Sequence, residues 1–271
     1  MIAAEKPIGA LCTQKDVDSE NYERLQKFLG EKPRYHRKQW EFVYILRVLE
    51  YFGMLKENIK GIGFGCGTER IVPILANFGI KVLATDLDAD KSTSWYKTTQ
   101  HSSCLESWYN LLKQCPTLCD LNTFHSNTTF ESADMNDIDT KFLNESFDFT
   151  WSACSLEHLG SLKHGMDFVL NSLDCLRPGG IAVHTTEYNV SSNEKTVDSK
   201  HTSIYRRRDI EELLSKCLDL GHEVSPMNFD SGALTHDNYV DIPPYADNAP
   251  HLKLKIQEYD CTSVGFYIIK K

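Results

Sequence analysis

Lys60-Gly61-Ile62-Gly63-Phe64-Gly65-Cys66-Gly67-Thr68-Glu69-Arg70 is the stretch on which the reading of this chain turns. Glycines crowd the point where a short strand, Ile59 to Phe64, gives way to a helix, Glu69 to Phe78, stopped by Gly79. Lacking a Cβ, glycine lets the main chain bend tightly and lie close to a ligand. The apolar run Lys81-Val82-Leu83-Ala84-Thr85 then forms a buried strand ending at Asp86. That acid follows the glycines by roughly 20 residues, the interval at which a strand-end carboxylate accepts hydrogen bonds from ribose hydroxyls. The plain alternative is a tight strand-to-helix turn with a capping aspartate. Two nucleotide classes fail on spacing. In Gly-x-Gly-x-x-Gly the sixth position, counted from Gly61, Gly63 or Gly65, is Cys66, Thr68 or Arg70. No Gly-Lys-Ser or Gly-Lys-Thr follows the cluster, so a Walker loop is absent.

Outward from this turn, strands and helices alternate. Phe130 to Ala133 and Phe147 to Trp151 read as strands, and Leu162 to Leu176 as a helix ended by Arg177-Pro178-Gly179-Gly180. Ile181 to Thr186 is the next strand, Arg207 to Leu220 a helix before Gly221, and Thr262 to Ile269 a closing strand. This order predicts an α/β fold: a doubly wound, mainly parallel sheet covered on both faces. Upstream, residues 1–15 read as a lead-in. Val17 to Leu29 is helical, with Asp18 and Ser19 as cap residues. His36 to Phe52 is a stronger helix, with Trp40, Val43, Tyr44, Leu46 and Val48 on helical spacing. The expected organisation is an N-terminal helical cap over residues 1–57 and a Rossmann-like domain over 58–271. Stretches at about 91–129, 187–205 and 228–260 exceed simple connections. They are expected to build an acceptor pocket or to form surface excursions.

The bulk properties set limits. A chain of 271 residues with 41% apolar side chains can bury one sizeable core. A net charge of −9 argues against a dedicated nucleic-acid binder, with Arg206, Arg207 and Arg208 the only compact basic run. No apolar run reaches membrane-spanning length. Met1 to Pro7 lacks a basic-then-apolar leader, and the 9 cysteines form no Cys-x-x-Cys pair, so a reducing, cytoplasmic setting is expected. The glycosylation patterns at Asn127, Asn144 and Asn189 are then chance matches. No close acidic cluster stands where a metal would be wanted, and no metal is expected.

With these residues in view, a resemblance emerges. Gly63-Phe64-Gly65-Cys66-Gly67-Thr68 resembles the first motif of the class I S-adenosylmethionine-dependent methyltransferases, and Thr85-Asp86-Leu87-Asp88 their second. Ala133-Asp134-Met135 resembles the third. Phe147 to Ser152 with Ser155-Leu156-Glu157-His158-Leu159 resembles the fourth-strand region, and Leu176-Arg177-Pro178-Gly179-Gly180 the turn before the fifth strand. The motifs keep the family's order over residues 58–187. Two positions depart from it: the acid often found before the glycines is Gly63 here, and the usual last glycine is Glu69.

The resemblance implies S-adenosyl-L-methionine as methyl donor. Gly63, Gly65 and Gly67 would admit its amino-acid part, Asp86 and Leu87 its ribose, and Asp134 and Met135 its adenine. Ser152 and Cys154, after the fourth strand, would face it near the methyl group, with Trp40 and Glu41 as a closing edge or simple core. A sulfonium already activates the methyl group, so holding the acceptor in line supplies much of the catalysis, and a base is needed only where the acceptor must lose a proton. The catalytic candidates are His158 and His184, each set against a packing role, and Glu187 as a ligand for the acceptor; His251 has little to recommend it. The expected activity is O-methylation of a small polar acceptor such as a saccharide or specialised metabolite, with no nucleic acid or membrane partner. A non-catalytic cofactor-binding module and a nicotinamide-dependent oxidoreductase are the alternatives.

Overall fold

The structure, a computed structural model, describes residues 5–87, 105–143, 147–246 and 248–271. Asp88 of the second motif, the start of the 91–129 stretch and the Asn144-Glu145-Ser146 pattern lie outside the described residues.

Along the chain come β1 (Gly9–Leu11), α1 (Gln14–Val17), α2 (Glu20–Gln26), α3 (Arg37–Tyr51), β2 (Lys60–Gly63), α4 (Ile71–Asn77) and β3 (Lys81–Asp86). Next are α5 (Leu105–Gln114), α6 (Leu121–Asn127), β4 (Thr128–Ser132), α7 (Thr140–Leu143), β5 (Phe147–Ala153), α8 (Leu162–Ser172), β6 (Leu176–Asn189) and α9 (Arg207–Asp219). The chain closes with β7 (Glu223–Val224), β8 (Met227–Asn228), β9 (Val240–Asp241), β10 (Lys253–Ile256) and β11 (Tyr259–Ile269).

The strands form one sheet in the order β4-β3-β2-β5-β6-β11-β1-β8. From β4 through β6 every pairing is parallel, as expected from the alternation of strands and helices. β11 then runs antiparallel to both β6 and β1. Strand order reverses between β2 and β5. A crevice opens there beyond the carboxyl ends of the strands, where ligands bind in such sheets.

Two apolar layers cover the sheet. One packs α3 and α4 with Trp108 and Phe124 against Phe149 and Trp151; the other packs α8 and α9 against Ile62, Phe64, Ala182 and Phe266. The glycines of β2 serve this packing. A Cβ on Gly61 would lie 2.3 Å from Phe149 Cζ, and one on Gly63 would lie 2.2 Å from Trp151 Cζ2. Position 63 is bare because a buried indole occupies the space beside it.

Local signals placed most elements well. Ser19 caps α2 by accepting from Tyr22 N–H, and His36 caps α3 by accepting from Lys38 N–H. Two segments differ from expectation. Gly9–Leu11, within the expected lead-in, is a sheet strand, with Ala10 opposite Gly265 and Leu11 opposite Val264. Three residues carry no readable periodicity, and their partner lies at the other end of the chain. The Arg177-Pro178-Gly179-Gly180 turn is continuous with β6, tied down by Arg177 Nε to Asp148 Oδ1 (2.7 Å) and by two main-chain bonds to Lys270.

Candidate active site

A cavity of about 710 Å³ occupies the crevice. Its floor is the turn after β2, where Gly65 and Gly67 adopt left-handed φ angles of 64° and 48°. A Cβ at Gly65 would lie 2.5 Å from Ser155 Oγ, so only glycine lets the turn meet the segment after β5. Asp86, ending β3, closes the turn: its Oδ2 accepts from Gly67 N–H and its Oδ1 from Leu87 N–H, both at 2.8 Å. A carboxylate has about four acceptor sites, so two remain for ligand hydroxyls. Beyond β4, Asp134 Oδ1 accepts from Asn136 N–H at 2.9 Å, and Met135 joins the cavity wall.

The opposite wall comes from the start of α3, the segment after β5 and the end of β6. Arg37 Nη2 donates to Glu187 Oε1 at 2.6 Å and its Nη1 to Glu41 Oε1 at 3.1 Å. Cys154 Sγ donates to the same Glu41 oxygen at 3.0 Å, and Ser263 Oγ donates to it at 2.5 Å. Burial alone would favour a protonated Glu41, but Lys38, Arg37 and the Cys154 and Ser263 donors outweigh it and hold the carboxyl below its ordinary value. Burial drives the Cys154 and Cys66 thiols well up, which leaves them protonated and unreactive.

Glu157, 1% exposed, also lines this wall. Its Oε2 accepts from Thr186 Oγ1 at 2.9 Å, while Oε1 is buried without a hydrogen-bond partner. Burial raises its carboxyl above the ordinary range, His158 pulls the other way, and Glu187 adds to the rise.

Residues 62–184 match the family profile of a methyltransferase domain. The chain carries a methyltransferase domain. One solved methyltransferase domain shares the fold. The methyltransferase domain of bacterial CtHen1-CN aligns over 86% of this chain and 100% of its own, at 13% identity and a TM-score of 0.52. Magnesium protoporphyrin IX methyltransferase from Synechocystis PCC 6803, with bound S-adenosylhomocysteine, covers 95% of this methyltransferase and 98% of its own chain, at 11% identity and a TM-score of 0.49. A candidate sarcosine dimethylglycine methyltransferase from Galdieria sulphuraria matches at 15% identity and a TM-score of 0.41; 79% of this chain aligns, and it spans 60% of that protein. Comparison with curated proteins gives no match.

S-adenosylmethionine is the methyltransferase's cofactor, and the residues present fit it. The Gly65–Gly67 turn offers main chain without side chains, Asp86 offers two open acceptor sites, and Asp134 with Met135 offers an acceptor beside an apolar surface. Gly65, Gly67, Asp86, Leu87, Asp134 and Met135 are brought together around the cavity, and Cys154, His158 and Glu187 line its other side.

Three expected residues lie elsewhere. Gly63 faces Trp151 inside the sheet, and Ser152 and His184 are fully buried, bonded to each other at 2.8 Å between Oγ and Nδ1. The His184 ring packs between Phe168 and Phe266, and burial lowers its pKa to about 3, so it is a neutral core histidine. The residues after β5 curl into the cavity only from Cys154, whose φ of 48° turns the chain out of the strand.

Other segments resolve towards structure. Trp40 is buried and donates to Asp16, leaving Glu41 as the member of that pair at the cavity. Arg206 is tied to Asp209, Arg207 to Glu211 and Arg208 to Glu194, so the basic run is a paired helix start. His251 pairs with Asp241 at 2.7 Å and stacks on His36. Among the described residues, the 187–205 stretch lends only Glu187 to the cavity lining and the 228–260 stretch lends none. The first of these instead braces the turn after β5: Ser203 N–H donates to Glu157 O at 2.8 Å, and Leu162 N–H to Asp198 Oδ1 at 2.8 Å.

Sequence reasoning missed Arg37, Glu69 and Glu157. The Glu157-His158 pair carried a signal, since both stand in the quoted Leu156–Leu159 segment, but only packing shows which is buried.

Proposed function

We propose that this methyltransferase transfers a methyl group to an oxygen of a small polar acceptor, such as a saccharide or a specialised metabolite. One observation carries the reading: a single cavity joins the Gly65–Gly67 turn, Asp86 and Asp134 to a second wall of hydrogen-bonding side chains, among them Arg37, Lys38, Glu157, His158 and Glu187. The cofactor supplies an electrophilic methyl group on a sulfonium. The protein's share is to orient the cofactor, to hold the acceptor hydroxyl in line and to receive its proton.

In this reading Gly65 and Gly67 admit the cofactor's amino-acid end. Asp86, with Leu87, holds ribose, and Asp134 and Met135 hold adenine. The proton acceptor is Glu157 or His158. Glu157 is favoured, because its dehydrated carboxylate has an oxygen without a partner. His158 is more exposed, with Nδ1 3.0 Å from His201 O. Glu187 is engaged by Arg37 and serves to orient. Eight described cysteines are free, which supports a reducing, cytoplasmic setting. Among the described residues no helix is long and apolar enough to cross a membrane.

The test is turnover of S-adenosylmethionine to S-adenosylhomocysteine against a panel of hydroxyl-bearing and amine-bearing small molecules. Turnover confined to amines would overturn O-methylation. Tight cofactor binding with no turnover on any acceptor would favour a non-catalytic module.

A further inference from the structure

Position 63 is glycine for a packing reason, and that leaves the cavity floor without a carboxylate on that side. A Cβ at Gly63 would meet Trp151 Cζ2 at 2.2 Å and Cε2 at 2.5 Å, and Trp151 is fully buried. No side chain fits at 63 unless that ring moves. The same indole turns its polar edge to the next turn of chain: Trp151 Nε1–H donates to Glu69 Oε2 at 3.3 Å. Glu69 is held from two further directions. Its N–H donates to Cys66 O at 3.0 Å, and its carbonyl accepts from Trp108 Nε1 at 3.0 Å. Its side chain lines the cavity beside the Gly65–Gly67 turn.

We propose that Glu69 is the carboxylate that receives the ammonium group of the cofactor's amino-acid end. The proposal rests on S-adenosylmethionine as the cofactor. Among the described residues Glu69 makes no ion pair. Lys38, whose charge lowers the Glu69 carboxyl, is engaged with Glu41 Oε2 at 3.3 Å. Burial raises the Glu69 carboxyl well above its ordinary value by penalising its charged form, and an ammonium placed beside it offsets that penalty. The cofactor brings two positive groups to this cavity. Its sulfonium has no N–H or O–H to donate. Its ammonium has three N–H donors and suits a carboxylate already oriented by an indole N–H.

The test compares three ligands by calorimetry on the wild type and Glu69→Gln. They are S-adenosylhomocysteine, its analogue lacking the α-amino group, and 5′-methylthioadenosine, which lacks the whole amino-acid end. The expected result is an about 10- to 100-fold loss of S-adenosylhomocysteine affinity in the variant, the size of one charged hydrogen bond. Affinity for the other two should change less than about twofold, which also shows that the variant is folded. Glu69→Asp serves as a second variant that keeps the charge and withdraws it; it should lose S-adenosylhomocysteine affinity selectively too. Unchanged S-adenosylhomocysteine binding in Glu69→Gln, or equal losses for all three ligands, overturns the assignment of Glu69 alone. A wild type that binds none of the three overturns the cofactor reading beneath it.

Discussion

Arg37 and Glu187, 150 residues apart in the chain, meet at 2.6 Å in the cavity wall, with side chains only 8% and 10% exposed. This contact ties the first turn of α3 to the end of β6 and so fixes the width of the cavity on that side. Arg37 also reaches Glu41, whose side chain is fully buried. One guanidinium therefore serves two carboxylates taken out of water.

Removing that cation should be costly. Arg37→Met leaves Glu41 and Glu187 buried with one cation fewer, and breaking a buried pair from one side costs about 3–5 kcal/mol. Urea denaturation at neutral pH should show a loss of that order. A loss within about 0.5 kcal/mol, the range for a surface substitution, would mean the pair is not buried as described.

Asp86 should matter to binding through two roles, the turn and the ribose. Asp86→Ala is expected to weaken S-adenosylhomocysteine binding by about 1–3 kcal/mol, through lost charge-assisted hydrogen bonds. Titration calorimetry on the folded variant checks it. Unchanged affinity would remove Asp86 from the proposed site.

Acid stability should report His184. Its folded pKa, about 3, lies below the ordinary 6.5, so the unfolded chain binds a proton that the fold refuses. Stability therefore falls as pH drops from 6.5 towards 3, by ~1.4 kcal/mol per pH unit for this group. His36, similarly lowered to about 3 by burial and by His251, adds a second proton to the same window. His184→Asn should start less stable but decline with a slope shallower by one proton. Equal slopes would show that His184 is not held neutral.

The rate should report Glu157. If it receives the acceptor's proton, the acid limb of kcat/KM lies above the ordinary carboxylate value of 4.5, because burial raises the group. Glu157→Gln should abolish that limb and lower kcat by about 10²–10⁴-fold, with cofactor affinity retained. His158→Ala is the companion variant. A loss of that size there, with the limb intact in Glu157→Gln, would transfer the role to His158.

Much of the cofactor side was legible because its signals are local. Gly65 and Gly67 announce a turn that needs left-handed backbone, and Asp86 announces a strand end, each readable within a few residues. Gly63 looked like part of the same signal, but its bareness answers to Trp151, a residue 88 positions on that pairs with it across β2 and β5. His184 alternates along its strand as a pocket residue would. Its actual side of the sheet is set by α8 and β11, which bring Phe168 and Phe266 against it.

By itself the sequence determined the alternation of strands and helices, the bend after β2 and the acid that closes it, because propensity, periodicity and glycine's freedom act over neighbouring residues. Only the tertiary structure decided which charges are paired, which are dehydrated and which meet the cavity. Arg37 becomes a bridge, Glu157 a buried carboxylate and Glu69 a held one through contacts with residues far along the chain. Burial and Coulomb attraction depend on distance in space, which sequence spacing does not encode.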